Sequence, residues 1–159
     1  MFLTPTWQAE SVADMPPSLF LSLGIHGAIL DLDNTLMIPR TPIIPKPIQN
    51  WLTEAKQANF GLVVVSNNKK PSYLAQAEDL LQIPVIGFAQ KPRRIYLRAG
   101  LEKLGLAAEN VVVVGDRPLT DILGGIRLGA KTLWVKNLTY QTDKPLIQCL
   151  RYLESITIR

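Results

Sequence analysis

Several protein classes are excluded by what this chain has little of. It contains one cysteine, Cys149, among its 159 residues, which excludes an internal disulfide and is typical of a reducing compartment. Residues 1–10 lack the basic region and long apolar segment of a secretory signal. No apolar run reaches the roughly 18 residues that a membrane span needs. We therefore expect a cytoplasmic protein, either free or peripheral on a membrane.

Charged residues are also few, at 19% against 47% hydrophobic residues, which is typical of a globular protein. We predict a single domain over residues 1–159, in which residues 1–23 either pack on the core or lie at a membrane surface. The net charge of +4 modestly favours anionic partners. No nucleic-acid partner is expected, and the oligomeric state stays open.

Five apolar, mostly β-branched runs predict buried strands, and five helical patterns fill the gaps between them. Because the runs lack polar alternation, both faces of the sheet should be covered by helices, which favours parallel strands. The predicted fold class is therefore α/β: a doubly wound, mostly parallel five-stranded sheet with helices on both faces. The predicted strands are 25–32, 61–66, 84–88, 110–116 and 131–135, and the predicted helices are 47–59, 71–81, 92–104, 118–128 and 144–155.

Two carboxylates, Asp31 and Asp33, stand at the carboxyl end of the first predicted strand. Burying two anions side by side is costly unless a cation or protons compensate. A divalent cation with oxygen ligands is the natural compensation, and Mg²⁺ is the commonest candidate. The pair indicates a carboxylate nucleophile beside a metal, as in phosphoryl transfer. Asp and Asn after a strand can also simply form a turn and cap the next helix.

Further polar side chains follow the other predicted strands. Ser66 and Asn67 follow the second strand, Lys91 follows the third, and Asp116 ends the fourth, with Asp121 five residues later. Because the carboxyl ends of parallel strands share one edge, these groups can converge. Around a phosphate, Ser66 can hold phosphoryl oxygens, Lys91 can neutralise charge, and Asp116 can complete a Mg²⁺ shell.

The order of these motifs resembles that of haloacid dehalogenase-like (HAD) phosphatases. Their series Asp-x-Asp-x-Thr, Ser, Lys and Gly-Asp-x-x-x-x-Asp occurs here at 31–35, 66, 91 and 115–121. The wording of the first motif is similar to that of the subclass III, YqeG-type branch, which resembles phosphatidylglycerophosphate phosphatases. The resemblance implies a HAD-like fold and hydrolysis of a phosphomonoester with Mg²⁺.

The resemblance also implies a role for each matching residue. Asp31 corresponds to the nucleophile that forms an aspartyl phosphate, and Asp33 corresponds to the general acid and base. Metal ligands are expected from Asp31, the backbone carbonyl of Asp33, and Asp116, while Asp121 corresponds to a supporting acidic position. Three further residues correspond to the family's orienting and phosphate-binding positions: Thr35, Ser66 and Lys91. Asn67, next to Ser66, is also expected to bind substrate.

The spacing of the motifs leaves no room for a cap domain. Only 29 residues separate Leu36 from Ser66, and 24 separate Ser66 from Lys91, and each gap must already hold a helix. An open site suits a large or surface-presented substrate. Basic residues near the same edge predict a positive rim, which favours a phosphorylated small molecule or an anionic lipid headgroup. These residues are Lys69, Lys70, Arg93, Arg94 and Arg117.

Three alternatives to a phosphatidylglycerophosphate phosphatase remain at this point. The first keeps the chemistry but takes a soluble sugar phosphate, a nucleotide or a phosphoprotein. The second is a phospho-accepting receiver domain, in which the phosphorylated Asp ends the third strand. This chain has Phe88-Ala-Gln90 there, which disfavours a receiver. The third is a binding module without activity, which the intact motif set disfavours.

Overall fold

The computed structural model describes residues 2–139 and 142–158, and its centre is a six-stranded sheet in which every pairing is parallel. The order across the sheet is β1-β6-β5-β2-β3-β4. This confirms the predicted α/β, doubly wound class. The strands are β1 (Trp7–Ala9), β2 (Gly27–Leu30), β3 (Gly61–Val65), β4 (Val85–Ile86), β5 (Val111–Gly115) and β6 (Lys131–Val135).

The predicted number of five strands was wrong by one, because β1 adds a sixth at the edge. Trp7 pairs with Leu133 of β6. The backbone N–H groups of Thr6 and Thr132 each donate to the other residue's hydroxyl, at 3.0 and 3.1 Å. A three-residue strand carries no apolar period of its own, so its partner strand decides whether it forms.

The predicted helices are all found, with shifts of up to two residues at their starts and ends and one change of geometry. Residues 118–128, predicted as a single helix, begin with a π-helical turn at Pro118–Ile122. A short helix near the amino terminus was not predicted. The α-helices are α1 (Pro17–Ser22), α2 (Lys46–Gln57), α3 (Pro71–Leu81), α4 (Arg94–Leu104), α5 (Leu123–Leu128) and α6 (Pro145–Ser155).

The helices cover both faces of the sheet and form two hydrophobic clusters. Ala28 and Leu30 of β2 belong to the cluster that includes α1, α2 and α3. Ile29, between them, belongs to the cluster on the other face, with Leu97 of α4. Successive side chains of β2 therefore pack into two different hydrophobic clusters, as expected for a strand buried on both faces. By contrast, α6 contributes no buried side chain.

Residues near the amino terminus extend the first of these cores. Phe20 of α1 is fully buried and stacks on Phe60, with ring centroids 5.8 Å apart, while Trp7 meets Phe20 edge-on. The Nε1–H of Trp51 in α2 donates to the Met15 carbonyl at 2.8 Å.

The connections between the strands hold no additional domain in the region from β2 to β4. Residues 31–45 link β2 to α2 as a loop, and α3 is the only helix between β3 and β4. This agrees with the predicted absence of a cap. None of the helices within residues 2–139 and 142–158 has the length and hydropathy of a membrane span.

Candidate active site

The chain changes direction across the sheet at the boundary between β2 and β5. It proceeds from β2 to β3 and β4 on one side, then returns to β5 and β6 on the other. In open α/β sheets, ligands bind outside the carboxyl ends of the strands at this boundary. Asp31 follows β2 and Asp116 follows β5, so the topology brings together two carboxylates that are far apart in sequence.

Lys91 joins these carboxylates from the loop after β4. Its Nζ lies 2.6 Å from Asp31 Oδ1 and 2.8 Å from Asp121 Oδ1, and its side chain is 3% exposed. Burial alone would lower the pKa of Lys91, but the two carboxylates outweigh it and raise the pKa above its ordinary value. Lys91 therefore stays protonated and holds Asp31 in place.

Asn67 fixes the backbone that carries Lys91. Its Oδ1 accepts the Lys91 N–H at 2.7 Å, and its Nδ2 donates to the Lys91 carbonyl at 3.2 Å. Asn67 was predicted to bind substrate. Its side-chain amide is used here to position Lys91 at the mouth of the cleft that both residues line.

Asp33 lines the same cleft but has different partners. The Tyr73 hydroxyl donates to its Oδ1 at 2.7 Å, and Asn68 Nδ2 donates to its Oδ2 at 3.0 Å. Burial and the contact with Asp33 raise the pKa of Tyr73 above its ordinary value, so the phenol keeps its proton and remains a donor. Two neighbouring carboxylates thus have different surroundings, which is the arrangement that separates a nucleophile from an acid–base group.

Three carboxylates form a cluster that could hold a metal ion. Asp31, Asp116 and Asp121 each offer an oxygen within 4.8 Å of the others. In the described part of the chain, Asp116 Oδ1 is buried without a hydrogen-bond partner, whereas its Oδ2 accepts from Arg151 Nη1 at 2.6 Å. A buried carboxylate oxygen without a donor, beside two more carboxylates, suits a hard divalent cation such as Mg²⁺.

The cluster differs from the predicted ligand set in one respect. Asp121, predicted to support the site, offers an oxygen within 4.8 Å of both other carboxylates and so belongs to the cluster itself. The carboxylate of Asp33 is engaged by Tyr73 and Asn68, and a contribution from its backbone carbonyl stays a prediction.

The carboxylate cluster is short of positive charge. Burial raises the pKa of Asp31 to about 6, with Lys91 opposing and Asp121 adding to the rise. Burial likewise raises the pKa of Asp116 to about 8, with the charges of Asp31 and Asp121 adding and Arg151 opposing. Without a cation the cluster therefore tends to retain protons, and a divalent cation would displace them.

Gly115 is required for the position of Asp121. A Cβ at residue 115 would lie 2.3 Å from the Asp121 carboxyl carbon, far inside van der Waals contact. The Asp121 Oδ2 also accepts the Arg117 N–H at 3.1 Å. The Gly-Asp pair in the motif thus has separate physical roles, since the glycine makes room for one carboxylate and Asp116 supplies another.

The remaining predicted residues are both buried near this edge. Ser66 lines the cleft, and its Oγ accepts the Asn68 N–H at 3.1 Å. Thr35 is 1% exposed and does not line the cleft. Its Oγ1 has no hydrogen-bond partner within residues 2–139 and 142–158. Its orienting role stays a prediction.

Sequence reasoning missed Tyr73 and Arg151. Tyr73 is an aromatic residue in the first turn of α3, where it resembles an ordinary core position. Arg151 lies in the last helix and reaches Asp116 only because α6 packs beside the π-helical turn 118–122. No local motif marks either residue, so only their contacts could identify them.

The predicted positive rim is partly neutralised. Arg117 Nη2 forms an ion pair with Glu154 Oε1 at 2.6 Å, whereas Arg94 keeps its charge and donates to the Arg127 carbonyl. Lys69, Lys70 and Arg93 are exposed, and they form no ion pair with the part of the chain that is described.

Six of the predicted site residues line a cleft of about 370 Å³: Asp31, Asp33, Ser66, Asn67, Lys91 and Asp116. A larger cavity of about 630 Å³ is lined by Pro92, Arg93, Arg94, Ile95 and Arg127 and includes none of the carboxylates. We assign the chemistry to the smaller cleft because the charged groups converge there.

Comparisons with known proteins show similarity to HAD-like hydrolases and to phosphatases. A family model described as HAD-hydrolase-like matches residues 88–146. The probable phosphatase YqeG of Bacillus subtilis is 32% identical over 134 residues, which cover 84% of this chain and 77% of that protein. The mitochondrial phosphatidylglycerophosphatase GEP4 of Saccharomyces cerevisiae is 31% identical over 154 residues, which cover 89% of this chain and 82% of that protein.

A solved structure agrees at the level of the fold. A haloacid dehalogenase-like family hydrolase from Xanthomonas campestris superposes with a TM-score of 0.51 at 11% identity, covering 84% of this chain and 94% of that one. At this identity the similarity concerns the fold alone.

Proposed function

The chain belongs to the haloacid dehalogenase-like family and is a phosphatase, and we propose that it forms an aspartyl phosphate on Asp31 during hydrolysis. One observation carries the assignment of Asp31. Its carboxylate lies at the β2–β5 boundary, 2.6 Å from the buried Lys91 ammonium and within 4.8 Å of Asp116 and Asp121. The positive charge and the nearby cluster suit a carboxylate that meets an anionic phosphate.

In the first step, an Asp31 oxygen attacks phosphorus and the bond from phosphorus to the ester oxygen breaks. Asp33, in its protonated form, gives its proton to that leaving oxygen. Lys91 and the backbone N–H groups after β3 bind the phosphoryl oxygens. Tyr73 and Asn68 keep the Asp33 carboxyl in one orientation during the transfer.

In the second step, Asp33 takes a proton from water, and the resulting hydroxide attacks phosphorus. The bond from phosphorus to Asp31 breaks, which releases inorganic phosphate and restores the carboxylate. Asp31, Asp116 and Asp121 are the residues that would hold Mg²⁺, with the Asp33 carbonyl as a further candidate. When bound, Mg²⁺ supplies charge neutralisation for the phosphoryl group and the carboxylate cluster.

We further propose that the substrate is phosphatidylglycerophosphate. The similarity to the yeast phosphatidylglycerophosphatase supports this choice, because it extends over most of both chains. The lack of a cap between β2 and β4 also supports a substrate presented at an anionic surface, as do the exposed Lys69 and Lys70, which directly follow Asn68 of the cleft lining.

Phosphate release from a substrate panel tests both parts of the proposal. Phosphatidylglycerophosphate in detergent micelles, glycerol 3-phosphate, a sugar phosphate, a nucleotide and an aryl phosphate would each be assayed with Mg²⁺ and with excess chelator. We expect the lipid to be the best substrate and chelator to abolish turnover. Efficient turnover of a soluble metabolite without turnover of the lipid would overturn the proposed lipid substrate. Full activity in excess chelator would overturn the proposed requirement for Mg²⁺.

A further inference from the structure

Helix α6 shows the reverse of the usual amphipathic arrangement. Its two charged residues point into the protein, since Arg151 binds Asp116 and Glu154 binds Arg117, each at 2.6 Å. Its large apolar side chains point outward: Leu146 is 73% exposed and Leu150 is 55% exposed. Surface helices normally bury the apolar side and expose the charges. An exposed apolar stripe on a helix held by ion pairs is typical of an interaction surface.

Five of the exposed side chains form one continuous stripe, which we call the outer face of α6. Their spacing of i, i+3, i+4, i+7 and i+10 places them on one side of a helix. They are Leu146, Cys149, Leu150, Leu153 and Ile156.

We propose that the outer face of α6 docks this protein on an anionic phospholipid membrane, an inference that rests on the lipid substrate proposed above. The outer face carries no acidic residue, because both charges of α6 are turned inward and paired. Lys144, at the start of the helix, is exposed. Lys69 and Lys70, which follow the carboxyl end of β3, are also exposed. Apolar insertion beside basic residues is the pattern that binds anionic lipid.

A second copy of the chain fits this face less well. An 11-residue helix is about 16 Å long, and its stripe presents five side chains. Stable protein interfaces bury roughly 800 Å² on each partner, with some 20–30 residues a side. A single narrow stripe falls well short of that, whereas insertion of one amphipathic helix is sufficient for peripheral membrane binding.

Helix α6 is also joined to residues that line the cleft. Arg151 ties α6 to Asp116 in the carboxylate cluster, and the pair of Arg117 and Glu154 ties it to the loop beside that cluster.

The lone cysteine provides a direct measurement. Cys149 is exposed and lies on the outer face, so it can carry an environment-sensitive fluorophore without other changes. We expect the emission to shift to shorter wavelength with vesicles of phosphatidylglycerol and phosphatidylcholine, and less with phosphatidylcholine alone. As the matched control, the same label on Leu80→Cys in a Cys149→Ser chain should not respond, because Leu80 is exposed on α3. No shift at Cys149, or equal shifts at both positions, would overturn the proposal.

A pair of variants separates docking from catalysis. Leu150→Glu with Leu153→Glu should weaken vesicle binding by at least about tenfold, because two inserted side chains become charged. Leu80→Glu with Ile126→Glu, at residues of similar exposure elsewhere, should not weaken it. Analytical ultracentrifugation of the unmodified protein and of the Leu150→Glu, Leu153→Glu variant shows whether these substitutions dissociate a dimer. Dissociation would show that the outer face of α6 binds a second copy of the chain and would overturn the membrane proposal.

Failure of the inference and failure of the proposed function are distinguishable. The vesicles contain no phosphomonoester, so binding is measured without turnover. Hydrolysis of phosphatidylglycerophosphate in micelles without vesicle binding would reject docking and keep the function. Vesicle binding without hydrolysis of phosphatidylglycerophosphate would overturn the proposed substrate but support membrane docking through α6.

Discussion

Residues 27–30 of β2 and residues 31–35 after them differ sharply in what surrounds them. The strand is completely buried, wholly apolar, and paired on both sides with β3 and β5. Immediately beyond it, Asp31 joins a cluster in which the pKa values of carboxyls are raised and one buried oxygen has no donor within the described residues. Unfavourable charge is thus concentrated where ligands bind, and the apolar strands hold it in place. The difference predicts that substitutions at the edge change activity and substitutions in the core change stability.

Asp31→Asn tests this separation most severely. The amide keeps the shape but cannot form the acyl phosphate, so turnover of an aryl phosphate should fall at least about 10³-fold. Because one of three crowded carboxylates loses its charge, metal-free stability in urea should not decrease. Near wild-type turnover would reject Asp31 as the nucleophile.

Asp33→Asn should lower the rate by about 10²- to 10⁴-fold, the usual contribution of a general acid and base. Good leaving groups should suffer less in the first step, so phosphoenzyme should accumulate in rapid-quench experiments. Tyr73→Phe, which removes one donor to Asp33, should cause a smaller loss. Equal losses for good and poor leaving groups, without trapped phosphoenzyme, would contradict this role.

Trp51→Ala tests the core side of the comparison. Trp51 is 2% exposed and its indole donates to Met15, so its truncation should cost about 3–5 kcal/mol of unfolding free energy. The kcat of the folded fraction should change little. Leu150→Ala, on the outer face of α6, is the control and should change stability by less than about 0.5 kcal/mol. Chemical denaturation measures both, and a similar cost at both positions would show that α6 is packed.

Asp116→Ala should raise the Mg²⁺ concentration for half-maximal activity at least about tenfold, because one of few anionic ligands is lost. The measurement is a Mg²⁺ titration of turnover. Asp79→Ala, which removes an exposed carboxylate from α3, is the control. An unchanged Mg²⁺ requirement would exclude Asp116 as a ligand.

The pH dependence of stability is the subtlest test. The pKa values of Asp31 and Asp116 rise from 3.8 to about 6 and about 8 on folding, so the folded state binds more protons between those limits. The unfolding free energy of metal-free protein should therefore fall as pH rises from about 4 to 8. Asp116→Asn should flatten this fall more than Asp79→Asn does. An unfolding free energy that rises with pH across this range would show that the pKa values of Asp31 and Asp116 are not raised in the folded protein.

Much of the framework was predictable because it depends on local patterns. The β-branched runs located β2, β3, β5 and β6, and the starts and ends of α3 were predicted to the residue. The prediction that Asp31, Lys91, Asp116 and Asp121 converge followed from parallel strands sharing an edge. Other features were not predicted. The strand β1 is too short to show an apolar period, and the π-helical turn at 118–122 replaces a regular helix where Asp121 turns toward the carboxylate cluster.

The sequence alone determined which charged groups meet at the carboxyl edge of the sheet, because the order of the motifs along the chain assigns each group to the end of a strand. Only the tertiary structure decided which donors hold them. Tyr73 reaches Asp33 across 40 positions, and Arg151 reaches Asp116 across 35. The outward direction of the apolar stripe on α6 was decided in the same way. The helical period of the sequence shows that α6 has an apolar side, but the ion pairs of Arg151 with Asp116 and of Glu154 with Arg117 turn that side away from the protein.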